Sequence, residues 1–203
     1  MSTGNVAIVD TGGANLASLG YALARLGASS TVTDDPHDIA AATHVILPGV
    51  GAAGDAMQRL NRTGLAELIP TLTQPVLGIC LGMHLLAERS AEDDVRCLGV
   101  FDTAVERIVA SNDRVVPHMG WNRTETTRHS RLLADMPDAP YHYYVHSYAI
   151  AADCTDCVAT FDYDEPFAAV VERDNFAGTQ FHPERSAHHG RALLANFLSN
   201  RMC

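Results

Sequence analysis

The chain has 203 residues, 47% of them hydrophobic, and a formal net charge of −10. That suits one α/β domain with a full core and excludes a general binder of nucleic acid or acidic membranes, because a negative field repels phosphate. All fourteen basic residues are Arg, which also excludes Schiff-base chemistry on Lys and a P-loop with its Lys. In chain order, Val6 to Asp10 predicts a buried strand and Thr11 to Asn15 a tight turn. Leu16, Leu19, Leu23 and Leu26 then recur at helical spacing up to Gly27. Ser30 to Thr33 predicts a second strand, Asp38 to Ala42 a short helix and His44 to Leu47 a third strand. This strand runs into the loop Pro48-Gly49-Val50-Gly51. Helices follow through Met57 and Leu60 and over Leu65 to Leu72. Alternating β and α units of this length predict a parallel sheet with helices on both faces.

Val76 to Ile79 is β-branched and apolar, as a buried strand requires, and leads into Gly78-Ile-Cys80-Leu-Gly82 and a helix. Two glycines allow a sharp strand-to-helix turn with Cys80 at its tip. That is the elbow that presents a nucleophile, with a thiol in place of a hydroxyl. The start of the following helix favours a thiolate. The competing reading is a buried structural cysteine.

After about residue 98 strand-like segments follow one another: Val100 to Ile108, Trp121 to Thr124, Tyr141 to His146, Cys157 to Phe161, Phe167 to Glu172 and Ala177 to Phe181. They predict a mixed or antiparallel extension of the sheet, closed by a helix over His189 to Leu198 with His188-His189 capping it. No linker interrupts the pattern, so residues 1–203 are expected to form one domain. No apolar run reaches the roughly 20 residues that span a bilayer, and no basic, apolar signal stands at the start, so the cytoplasm is the expected location. The cysteines are Cys80, Cys97, Cys154, Cys157 and Cys203. One CxxC pair without a second predicts no structural zinc, and no other spacing predicts a metal or a cofactor.

Gly178-Thr-Gln-Phe-His182-Pro-Glu184 supplies the second chemical motif. Pro183 biases His182 towards an extended conformation, which puts the His182 ring and the Glu184 carboxylate on one side. The carboxylate can then hold one ring nitrogen and leave the other for a nucleophile. Strand ends on one edge of an α/β sheet collect active sites. Cys80, His182 and the Pro48–Gly51 loop all follow strands, which unites a nucleophile, a base with its orienter and a source of oxyanion-stabilising N–H groups.

Gly78-Ile-Cys-Leu-Gly-Met with the distant His182-Pro-Glu184 resembles the class I (triad) glutamine amidotransferase family. Pro117-His-Met-Gly-Trp-Asn122, Tyr143-Tyr-Val-His-Ser-Tyr148 and Pro48-Gly-Val-Gly-Ala52 narrow the likeness to glutaminase subunits of bacterial imidazole glycerol phosphate synthases, in histidine biosynthesis. The resemblance implies a flavodoxin-like, largely parallel sheet with added antiparallel strands. It implies attack of Cys80 on the side-chain amide of L-glutamine, with His182 and Glu184 completing the triad. Oxyanion donors are implied on the loop at Val50 and Gly51 and at Leu81, and glutamine contacts at Gly49, His84, Ser147 and Tyr148. Ammonia is expected to pass to a (β/α)8-barrel cyclase partner in a heterodimer, across a face carrying His118, Trp121 and Asn122. A peptide flip in the Pro48–Gly51 loop is the expected switch. The family pattern has Gln where this chain has His84, whose imidazole can still donate one hydrogen bond to glutamine. Two other functions compete: a glutaminase serving a different synthase, and a non-catalytic flavodoxin-like binding module.

Overall fold

The computed structural model describes residues 4–12, 16–111 and 114–199. Part of the turn expected over Thr11 to Asn15, and Cys203, lie outside them. The first half runs β1 (Asn5–Val9), α1 (Leu16–Arg25), β2 (Ser29–Thr33), α2 (Pro36–Ala41), β3 (His44–Leu47), α3 (Ala53–Thr63), α4 (Leu65–Leu68), β4 (Val76–Ile79) and α5 (Leu81–Leu86). The second half adds β5 (Ala87–Ser90), β6 (Val95–Arg96), β7 (Phe101–Arg107), β8 (His118–Arg123), β9 (Glu125–Thr126), β10 (Tyr141–His146) and β11 (Tyr148–Ile150). It ends with β12 (Cys157–Asp162), β13 (Pro166–Arg173), β14 (Phe176–Thr179) and α6 (Ala187–Leu198).

An eight-stranded sheet has the order β2-β1-β3-β4-β14-β13-β12-β9. The five strands from β2 to β14 are parallel, and β13, β12 and β9 continue antiparallel. The apolar runs alternate between two cores, as a strand buried on both faces must. Val6, Ile8, Ile46 and Leu77 meet Leu19 and Leu23 of α1 and Leu193, Leu194 and Phe197 of α6. Ala7, Val9, Val45, Leu47 and Val76 meet Met57, Leu60 and Leu65 of α3 and α4. Gly27, at φ 79°, ends the α1 segment as expected. No helix among the described residues is long and apolar enough to cross a membrane.

The fold is thus the expected mixed, largely parallel sheet with helices on both faces. One expectation is corrected: the later strands do not all extend that sheet. β7 joins β11, β5 and β6 in a separate four-stranded sheet, and β8 pairs with β10 alone. β8 alternates buried or half-buried positions with exposed ones from His118 onwards, so one face turns inward and the other is wet. A strand with one wet face covers the main sheet rather than joining its doubly buried middle. A second correction concerns His188 and His189, which lie in the first turn of α6 while Ser186 takes the cap position.

The candidate active site

Cys80 leaves β4 with φ 51° and ψ −110°, positive φ that a side chain rarely adopts. Its backbone is held on both sides. Its N–H donates to Thr179 O at 2.7 Å, on the neighbouring β14, and its carbonyl accepts from His84 N at 3.1 Å in the first turn of α5. The turn is crowded by the loop after β3. A Cβ on Gly82 would run into the carbonyl of Leu47, and one on Gly49 into Ile79 O and Leu81 N. Only glycine lets loop and elbow approach this closely.

β14 lies beside β4 in parallel register, Thr179 opposite Ile79, so the residues after β14 arrive next to Cys80. His182 is extended, with φ −98°. Its N–H donates to Tyr143 O at 3.0 Å, and Ser186 Oγ donates to its carbonyl at 2.7 Å while accepting from Tyr143 N at 2.9 Å. The Glu184 carboxylate reaches His182 Nδ1 at 2.9 Å. The same-side placement expected from an extended chain is achieved instead by a 3-10 turn over Pro183–Arg185. Burial disfavours charge on His182, but hydrogen bonds to Cys80 and Glu184 and the negative charge of both outweigh it and raise the imidazole to about 10. The ring is therefore poised to hold a proton beside the Glu184 carboxylate.

A cavity of about 330 Å³ opens above Cys80, a size for a small metabolite. Of the residues expected in the site, Gly49, Val50, Gly51, Cys80, Leu81, His84, Ser147, Tyr148, His182 and Glu184 all border it. For His84 the expected ligand contact meets an obstacle, because its Nε2 lies 2.9 Å from Gln180 Oε1 and that nitrogen is engaged by protein. Burial lowers its pKa to about 4, so the ring is neutral.

His118, Trp121 and Asn122 do not border the cavity. Trp121 is 53% exposed, beside Met119 on the open face of β8. The expectation that His118 faces a partner is corrected: the alternation of β8 turns its ring inward, stacked 4.1 Å from Tyr163. There it joins a chain of hydrogen bonds. His146 Nδ1 donates to Tyr148 O at 2.9 Å, so its neutral Nε2 accepts from His118 Nδ1 at 3.0 Å. Asn122 Nδ2 donates to Asp162 O at 2.8 Å and approaches His118 Nε2 at 3.3 Å.

Glu92, Val145, His146 and Arg185 also line the cavity, and none of them is among the site residues expected from the sequence. Glu92 Oε2 accepts from Ala53 N at 3.1 Å and Asp93 Oδ2 from Gly54 N at 3.0 Å. The two carboxylates cap α3, whose own cap residue Ala52 makes no side-chain cap bond. Burial raises the Glu92 carboxyl, opposed by the Ala53 N–H and helped by Asp93. Nothing local in the sequence marks these acids as part of a site.

The family model described as glutamine amidotransferase class-I matches residues 7–200. The imidazole glycerol phosphate synthase subunit HisH 2 of Legionella pneumophila subsp. pneumophila is 49% identical over 194 residues, covering 96% of this chain and 97% of that one. The HisH subunit of Xylella fastidiosa strain Temecula1 is 49% identical over 193 residues, covering 95% and 96%. Among solved structures, a glutamine amidotransferase superposes with a TM-score of 0.75 at 16% identity, covering 97% and 98% of the chains. PurLQS from Thermotoga maritima superposes with 0.74 at 19%, covering 96% and 97%. At such low identity these structures speak for the fold alone.

Proposed function

Because the chain belongs to the class-I glutamine amidotransferases, we propose that it is the glutaminase subunit of an imidazole glycerol phosphate synthase, acting in histidine biosynthesis. The observation that carries the chemistry is that Cys80 and His182 line one cavity, with Glu184 holding His182 Nδ1 at 2.9 Å.

In this reading Cys80 gives its proton to His182, and the thiolate attacks the side-chain amide carbon of L-glutamine. The C=O π pair moves onto oxygen, and the oxyanion is met by N–H groups of the Val50–Gly51 loop and of Leu81. The tetrahedral intermediate collapses as the imidazolium protonates the departing nitrogen, releasing ammonia and leaving a thioester. His182 then takes a proton from water, which attacks the thioester, and glutamate leaves as Cys80 recovers its proton. Glu184 keeps the ring oriented and stabilises its charge throughout. Gly49, Ser147 and Tyr148 shape the walls, and the Glu92 carboxylate in the wall suits the α-ammonium of an amino acid.

The ammonia passes to a (β/α)8-barrel cyclase subunit, docked over the face of β8 that exposes Met119 and Trp121. In the complex, Cys80→Ala is expected to abolish ammonia release from glutamine, while added ammonium still supports the cyclase. Ammonia release that survives Cys80→Ala overturns the assignment of the nucleophile. A cyclase that gains nothing from glutamine in the presence of the wild-type chain overturns the assignment of the pathway.

A further inference from the structure

Gln180 stands one residue beyond β14, as Cys80 stands one residue beyond β4. Its side chain is completely buried, and the mechanism above leaves it unused. It bridges two residues of the elbow. Its Oε1 lies 2.9 Å from His84 Nε2, and its Nε2 lies 3.9 Å from Cys80 Sγ. Which end of a primary amide faces which neighbour is decided by its partners. A neutral His84 with its proton on Nε2 can only donate to the amide oxygen, and this turns the amide N–H towards the sulfur. The reverse orientation would set N–H against N–H and an oxygen lone pair against a sulfur that becomes an anion.

The sulfur needs that donor. Its other close polar neighbour, apart from His182, is the carbonyl of Val145 at 3.8 Å, which accepts from the thiol but repels the thiolate. We propose that Gln180 is a further catalytic residue, donating its side-chain N–H to Cys80 whenever the sulfur carries negative charge, and that His84 is the positioning residue that fixes the direction of that amide. The donor acts twice, first on the attacking thiolate and again when the thioester expels it. Hydrogen bonds to the charged form favour it, and the gain in thiolate outweighs the accompanying loss of intrinsic nucleophilicity. The inference rests on Cys80 as nucleophile. It assigns His84 an inward task in place of a contact to glutamine.

The test is the rate at which iodoacetamide alkylates Cys80 at neutral pH, followed on the Cys80 peptide by mass spectrometry, beside kcat and KM for glutamine in the complex. Gln180→Leu and His84→Phe, both close in volume to the original side chains, are expected to slow alkylation about tenfold and to lower kcat in parallel. KM is expected to move by less than about twofold. His84→Gln, whose amide can also donate to Gln180, recovers most of the rate. Nitrogen-15 spectra of the intact chain should show His84 as the Nε2–H tautomer, a readout that survives even if Gln180→Leu does not fold. Unchanged alkylation in His84→Phe, a rise in KM at constant kcat, or an Nδ1–H tautomer each overturns the proposal. Alkylation needs no glutamine turnover, so slowed alkylation in a chain without glutaminase activity sinks the proposed function, and the catalytic role with it, while leaving the Gln180 hydrogen bond to the Cys80 thiolate standing.

Discussion

Cys80 keeps its positive φ because Thr179 grips its N–H and α5 grips its carbonyl. Positions of this kind store about 1–3 kcal/mol, which the surrounding structure must offset. Glycine adopts the same φ without that cost. Cys80→Gly and Cys80→Ala are both expected to be inactive, but the glycine variant should melt several degrees above the alanine one, about 2–4 °C for each kcal/mol recovered. Equal melting temperatures in differential scanning calorimetry would show that the elbow is unstrained. The residues that were legible in the sequence are those whose geometry is made locally. Gly-Ile-Cys-Leu-Gly can only turn one way, and His182-Pro-Glu184 carries its own orientation. Gln180 and Glu92 were illegible for the opposite reason. A lone Gln at a strand end and an acidic turn acquire a role only once distant segments fold against them.

At the level of elements, loop and elbow lean on two glycines for different reasons. Gly82 lacks space, since its Cβ would meet the Leu47 carbonyl, a backbone atom that cannot swing aside. Gly51 has open space around it but sits at φ 99°. Gly82→Ala is expected to lose about 3 kcal/mol or more in urea unfolding, because strand and helix must part. Gly51→Ala should lose only about 1–2 kcal/mol, the cost of a left-handed backbone, while its glutaminase rate falls further than its stability. If the two variants are equally stable, the close packing of β3 on α5 is not what holds the turn. The strands β4 and β14 were readable although they have four residues each, because both their faces are buried and every position reads apolar or small. β5, β6, β9 and β11 were not, since none carries four apolar or small residues in a row and they exist only by pairing. The separation of β8 and β10 from the main sheet was equally hidden, because alternation tells which side of a strand is wet but not which strand lies beside it.

Across the whole molecule, histidine carries an unusual share of the interior. Burial lowers His84 and His118 to about 4, and His142 and His146 to about 3, from an ordinary 6.5. A group depressed in the fold adds stability that is complete above 6.5 and is lost as pH falls towards its folded value, at up to about 1.4 kcal/mol per pH unit for each proton. His182 has the opposite sign: raised to about 10, it adds stability that is complete below 6.5 and is lost as pH climbs towards 10. Resistance to urea is therefore expected to peak near pH 6.5 and to fall steeply on the acid side. His142→Phe should flatten the acid limb by about one proton, at the cost of the Nδ1 bond to Thr124 Oγ1 at 2.8 Å. An acid limb of unchanged slope in that variant would place the proton uptake elsewhere.

The position of β14 also has a consequence for the order in which the molecule comes into being. Cys80 and the Gln180 that reaches its sulfur are 100 residues apart, so the ribosome releases the proposed nucleophile long before its proposed base. Until β14 slots between β4 and β13, the sheet exists as two pieces, each with an unpaired edge, and such edges recruit other chains. The last strand to be made is thus an inner strand of the sheet and the one that brings His182 and Glu184 to Cys80. A chain stalled before residue 176 lacks both His182 and Glu184, and on the proposed mechanism it is expected to be idle as well as adhesive.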